Sequence, residues 1–230
     1  YTLTIVDNAS SDSAREFIEH ICRDTPRHRA VFLPRNMGGE AINAGFEETL
    51  APYLHVSEND IEYLPGWDVE LLGKFDTFPE LWQLSPFAPT PPNDTGMIWQ
   101  QHEARPVTRA DHTIYLVDMN ITTTCLCRRS VWDEGLRWGS LPPEPGSPFL
   151  FPDDLAASAF VLDRERWVAW NDRYTVINWG HSVEEWQTNV QYYVWNYQAK
   201  PWLGEEGMRQ RLLAHGYDLV LDDQGDYRIV

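Results

Sequence analysis

The first 88 residues alternate between two periodicities, and this alternation limits the fold more than any other feature of the chain. The runs "YTLTIVD", "HRAVFL", "PYLHVSEND" and "ELWQLSPF" are apolar, rich in β-branched or aromatic residues, and read as strands. Between them lie segments with helical spacing. "SAREFIEHIC" repeats Phe17, Ile18, Ile21 and Cys22, with Ser10, Ser11 or Asp12 as candidate caps. "PRNMGGEAINAGFEETL" opens with a glycine-rich turn and continues into a helix carrying Ile42, Phe46 and Leu50, and "LPGWDVELLGKF" is a turn and helix. Such an order predicts βαβ units and a mainly parallel sheet with helices on both faces.

In open sheets of that kind, ligands bind beyond the carboxyl ends of the strands. Three polar clusters fall there: Asp7, Arg35-Asn36 and Glu58-Asn59-Asp60. Their convergence on one sheet edge is the main functional inference that spacing alone supports.

The texture changes after residue 88. "APTPPNDTG" is a proline-rich loop, "TIYLVDMNITTTCLCRR" reads as strand and "SVWDEGL" as a short helix or turn, and "SLPPEPGSPFLFP" is a loop. "DDLAASAFVLDRE" is helical through Leu155, Ala156, Phe160 and Val161, and "WVAWNDRYTVINWGH" is strand-like up to His181. "SVEEWQTNVQYYVWNYQAK" reads as one helix, with Ser182 and Glu185 in a capping-box pattern. The remaining tail is polar and acidic and reads as peripheral. No internal repeat is present.

Charge narrows the partners. Against 18 Lys and Arg stand 35 Asp and Glu, a net charge of −17, which argues against nucleic acid and anionic membranes. No apolar run reaches the ~20 residues of a membrane span. Three cysteines, two of them as Cys125-x-Cys127 on one strand face, suit buried free thiols rather than a disulfide framework. That usage points to a reducing, cytoplasmic compartment, with a peripheral membrane association left open.

The chemistry-bearing residues are carboxylates and one imidazole. Glu58-x-Asp60 offers the hard oxygens that suit magnesium or manganese, with substrate phosphates and water completing the shell. As a bare pair at a strand end it is otherwise a solvated turn. Asp153 and Asp154 begin a helix, where the macrodipole also favours acids, so their alternatives are an ordinary first turn or a general base. His181 is either a structural hydrogen-bonding residue or a further ligand. Trp99, Trp132, Trp138, Trp179 and Trp186 are core residues or platforms for a sugar face.

Taken in order, "TIVDNASSD", "PRNMGGEAINAGFEETL", "VSENDIEYLPGW", "CRRSVWDE", "PDD" and "GH" resemble the family 2 glycosyltransferases of GT-A fold, over residues 2 to about 181. The resemblance implies an α/β, Rossmann-like fold in a single domain. Residues 1–88 would form the nucleotide-sugar-binding half, and residues 89–230 the acceptor-binding half with a C-terminal helix and tail. It implies that Asp7 touches the nucleotide base and that Asn8, Arg35, Asn36, Gly39 and Asn59 line the donor pocket. Asp60, with Glu58 and His181, would hold Mn2+ or Mg2+ on the diphosphate of a UDP- or GDP-sugar. Asp154, or its neighbour Asp153, would be the base for inverting transfer to a carbohydrate or other hydroxyl acceptor. The oligomeric state stays open.

Departures from the family pattern are local. Glu58 stands where Asp is common, the acid pair is Asp-Asp rather than Glu-Asp, and Ala156 replaces a frequent acid. The family pattern also places a strand and a P-x-y-N loop ahead of the D-N-A-S segment, on which this sequence opens; without that strand the central sheet is one strand short. The alternative readings are a glycosyltransferase-like binding domain without turnover and a sugar nucleotidyltransferase.

Overall fold

The computed structural model describes residues 1–47, 49–89, 104–143, 145, 147, 149–200 and 203–230. Local chemistry sets the element boundaries. β1 (Leu3–Asp7) ends at Asp7, whose carboxylate accepts the Ser10 N–H and turns the chain. Ser11 is the cap chosen for α1 (Asp12–Arg23), its hydroxyl accepting from the Ala14 N–H. After β2 (His28–Phe32), Gly38 takes a positive φ of 56° and a 3-10 turn leads into α2 (Ala41–Phe46). The helix expected to reach Leu50 stops at Phe46, and Leu50 is 91% exposed. Pro52, one residue ahead of the next strand, favours extended backbone before it and brings the chain out of the helix.

β3 (Tyr53–Val56) and β4 (Ile61–Tyr63) flank the Glu58–Asp60 turn, and α3 (Trp67–Thr77) starts from Gly66 in the left-handed region. β5 (Leu81–Ser85), β6 (Arg105–Arg109), β7 (His112–Leu116) and β8 (Cys125–Arg128) follow, then α4 (Arg129–Asp133) and α5 (Asp154–Leu162). The segment read as one strand over residues 113–129 is thus two, β7 and β8, joined by a buried polar loop. Most of the proline-rich loop near residues 88–97, and Trp99 with it, lies outside the described residues.

β9 (Trp167–Asn171) and β10 (Val176–Asn178) precede α6 (Val183–Thr188) and α7 (Val190–Gln198). Ser182 caps α6 as expected, but Asn189 breaks the long helix and caps α7 with its own side chain. α8 (Gly204–Ala214) and the hairpin of β11 (Leu219–Leu221) and β12 (Tyr227–Ile229) complete the chain. This tail is not peripheral. Met208, Leu212 and Leu219 form a core with Trp186, Val194 and Tyr197.

Six strands make the main sheet in the order β3-β8-β5-β9-β7-β6. The expected parallel pairing holds for β1–β2 and for β5–β9, whereas β8, β7 and β6 enter antiparallel and make the sheet mixed. β1 and β2 form a separate pair, bridged to the main sheet by α2: Phe46 and Ile42 pack with Leu54 and Val56, while Gly45 lies against Val6.

Both faces of the main sheet are covered, and its strands alternate accordingly. Cys125 and Cys127 face the cluster of Trp82, Trp132, Trp138 and Trp170, while Leu126 faces Leu71, Phe75 and Leu84 under α3. Truncating Trp170, which is fully buried, would cost about 3–5 kcal/mol.

Candidate active site

The β3–β4 turn is held from below by an aromatic brace. His55 Nε2 and the Tyr63 hydroxyl are 2.7 Å apart, and both rings pack on Trp67 with centroids at 4.7 and 4.4 Å. Burial drives the His55 pKa down to about 4, so the imidazole is neutral. The turn above it carries Glu58, Asn59 and Asp60. β4 pairs with β10, which sets the segment after β10 against Asp60, and the Trp179 N–H donates to the Asp60 carbonyl at 2.8 Å. Gly180 is required there, because a Cβ would come within 1.8 Å of Asp60 Oδ2. His181 is the next residue in this turn; its side chain lies outside what the structure describes.

Asp60 Oδ1 and Asn178 Oδ1 are buried and, among the described residues, have no hydrogen-bond partner. Burial, and then the charge of Glu185, push the Asp60 pKa up. Glu58 is flanked by protein yet keeps an open face to solvent, as a side chain lining a cleft does. Its pKa rises to about 7 through burial first, then the charges of Asp60 and Asp154, against a hydrogen bond from Thr123.

Across the cleft, the two acids that start α5 have divided their work. Asp153 caps the helix through the Ala156 N–H at 2.9 Å. Asp154 turns inward and accepts from the Thr122 N–H at 2.9 Å and from the Thr122 hydroxyl. Burial still pushes its pKa up. The structure therefore brings Glu58, Asp60 and Asp154 into one acidic cleft and leaves Asp153 at its rim as a cap.

The donor-side residues are placed less uniformly. Asn8 and Asn36 knit two loops together: the Asn8 amide donates to Asn36 Oδ1 at 2.9 Å, and the Met37 N–H donates to Asn8 Oδ1 at 2.7 Å. Gly39 is buried, and a Cβ there would meet the Gly139 carbonyl at 2.3 Å and Pro152 Cα at 2.9 Å. The close approach it permits is therefore to protein. Arg35 and Asn59 are exposed on their turns. Of the tryptophans considered as sugar platforms, Trp132, Trp138 and Trp186 are core, and Trp179 is half exposed.

A family model described as Glycosyl transferase family 2 matches residues 1–136, more than half of the chain. The chain belongs to that family. It is a glycosyltransferase, and its α/β architecture is the GT-A fold. Comparison with curated proteins finds no match. The matched span contains β1 through α4 and hence the Glu58–Asp60 turn; the α5 acids and the C-terminal helices lie beyond it. Among the described residues no helix is long and apolar enough to cross a membrane.

Among the described residues, the donors a divalent ion on this glycosyltransferase would meet are oxygens, those of Asp60, Asn178 and Glu58; the side chain of His181, the further expected ligand, lies outside them. Among the described residues no three His, Cys, Asp or Glu side chains close around a metal position. Carboxylate and amide oxygens suit a hard ion such as magnesium or manganese, whose remaining positions phosphate oxygens and water can fill.

Four contributors escape sequence reading. Thr122 and Thr123, in the run before β8, hold the two inward carboxylates, and their hydroxyls looked like strand residues. Asn178 is an ordinary polar residue at the end of β10. Lys200, just past α7, lies over the rings of Phe151 and Tyr197 at 5.1 and 5.3 Å, close enough to Glu58 for its charge to act there. Burial lowers its pKa to about 8. Among the described residues it has no salt-bridge partner, and only the tertiary fold reveals it.

Proposed function

We propose that this enzyme transfers a sugar, with inversion, from a nucleoside-diphosphate sugar to an acceptor hydroxyl. The observation that carries the reading is the pairing of unsatisfied buried oxygens on Asp60 and Asn178 with the inward, hydrogen-bonded Asp154 in the same cleft. Buried polar atoms without partners call for an explanation, and for two such oxygens beside an acid a bound cation is one.

In this mechanism Asp154 is the base. The acceptor oxygen attacks the anomeric carbon, its proton passes to Asp154, and the bond to the diphosphate breaks with its electron pair on the phosphate oxygen. The raised pKa of Asp154 makes it a better proton acceptor than an ordinary surface carboxylate, and Thr122 keeps it aimed. Asp60, Asn178 and Glu58, with His181 in the same turn, would hold a Mn2+ or Mg2+ ion, which would supply Lewis-acid stabilisation of the departing diphosphate. Lys200 places a positive charge near Glu58, on the side where the diphosphate gathers negative charge. Asp7 meets the nucleotide base and exposed Arg35 and Asn59 border the UDP or GDP pocket, while Asn8, Asn36 and Gly39 shape its floor. The three free thiols suit a reducing, cytoplasmic setting.

The test is a panel of UDP- and GDP-sugars assayed for release of nucleoside diphosphate, with and without manganese, and with saccharide acceptors. Metal-dependent release from at least one donor is expected. No release from any member, with the protein folded, would contradict the reading.

A further inference from the structure

One face of α7 carries Gln191, Tyr192, Trp195 and Gln198 at helical spacing. With Asn189 they line a groove of about 380 Å³, a volume in the range of small-ligand sites. Tyr192 is 44% and Trp195 49% exposed, so two large aromatic side chains one helical turn apart are open to solvent. They are braced before any ligand arrives. Phe149 packs edge-on against both, with centroids at 5.7 and 5.3 Å.

The amides are braced too. Gln191 Oε1 accepts from the Tyr227 N–H at 3.4 Å, and the Gln198 amide donates to Glu205 at 3.1 Å and to the Tyr227 hydroxyl at 3.4 Å. The Gln191 amide donor and the Gln198 carbonyl oxygen keep their capacity for a further partner.

Flat rings flanked by planar amides match the two sides of a pyranose: an apolar face of C–H groups and a rim of hydroxyls. None of the five lining residues is basic, and Glu205 and Glu185 stand nearby, so an anionic ligand is disfavoured. Packed side chains link the groove to the acidic cluster. Phe149 stacks on Phe151 at 6.1 Å, two residues before Asp153, and the Tyr193 hydroxyl bonds to Glu185, whose charge reaches Asp60.

We propose that this groove binds the acceptor, a neutral saccharide whose ring faces stack on Trp195 and Tyr192. The proposal rests on the glycosyl-transfer reading for the word acceptor; saccharide binding itself does not depend on it. An array of immobilised neutral and uronic- or sialic-acid-bearing oligosaccharides identifies the preferred glycan, and titration in solution then compares wild type with Trp195→Ala and Tyr192→Ala. Both side chains are exposed, so folding is retained in at least one variant. The expected result is selective binding of neutral glycans, weakened about tenfold in each variant, with UDP or GDP affinity unchanged. Absence of glycan binding, equal binding by the variants, or a dimer that Trp195→Ala converts to monomer would overturn it. Glycan binding without any nucleoside-diphosphate binding would leave the groove intact and overturn the transfer reading alone.

Discussion

Two clusters of charge are built into this molecule, and they are treated in opposite ways. Beneath α3, the Lys74 ammonium, 2% exposed, donates to the Thr113 carbonyl at 2.9 Å and to Asn171 and Asp172. Glu70 accepts from Asn171 at 2.9 Å and from Arg173 at 2.7 Å. Burial alone would push the Glu70 pKa up, but Arg173, Asn171 and Lys74 together hold it below the ordinary range. In the cleft between the β3–β4 turn and α5 the acids have fewer: Asp154 accepts from Thr122 and Glu58 from Thr123, and among the described residues none of the three is in a salt bridge. Glu58, Asp60 and Asp154 are all pushed up, and two buried oxygens remain unpaired. The first cluster is complete as folded. The second is costly as folded, and a cation and a substrate that bind there would relieve it. Unsatisfied charge, more than charge itself, separates the working site from the scaffold.

The comparison can be broken at several points. Asp154→Asn removes the base while keeping an acceptor for Thr122, so turnover should fall by about 10²–10⁴ with donor affinity nearly intact, read by product release and calorimetry. Near wild-type turnover would remove Asp154 from that role. Lys74→Met leaves Asp172 without its cation and Glu70 with Arg173 alone, and should cost about 1–3 kcal/mol in urea unfolding, with nucleotide affinity of the folded protein unchanged. A drop in affinity at constant stability would mean that the two clusters are not separate.

Acidification should act on the brace under the cleft. The His55 pKa is near 4 in the folded state and near 6.5 unfolded, so the unfolded chain binds the extra proton between those values. Stability from this group is present above pH 6.5 and is lost as pH falls toward 4. Since the ring keeps partial solvent access, wild type should lose about 2 kcal/mol more than His55→Gln between pH 7 and pH 4. Parallel unfolding curves for the two proteins would exclude the effect. The smallest change is Gly180→Ala, which displaces the Asp60 carboxylate without removing a ligand atom. Manganese-dependent nucleotide binding should weaken about tenfold, measured by calorimetry.

Much of this was legible in the sequence. The alternation of residues 1–88 gave β1, β2, β3 and β5 with their helices, because period-2 and period-3.6 patterns are written in which side chains are apolar; it did not give β4, three residues whose pairing is with the distant β10. Cap chemistry gave Ser182 and narrowed the α1 cap to Ser10, Ser11 or Asp12, of which the structure uses Ser11. Pairing was less legible: nothing in "TTTCLCRR" says that β8 enters antiparallel between β3 and β5, since that is decided by long-range packing. The same holds for the break at Asn189, where a residue that fits a helix poorly but caps it well can do either. Asp60 and Asp154 were readable as ordered acids at strand and helix ends. Thr122, Thr123, Asn178 and Lys200 were not, because each reaches the cleft from a distant part of the chain. Trp195 and Tyr192 were overlooked among other aromatics, since exposure is a property of the fold.

The central claim is that the unpaired oxygens of Asp60 and Asn178 belong to a metal–diphosphate site. Isothermal titration of UDP and GDP, with and without manganese, into wild type and Asp60→Ala tests it most directly. Manganese should tighten binding of one nucleotide to wild type at least tenfold and have little effect on the variant. Equal, metal-independent affinity in both proteins would contradict the account.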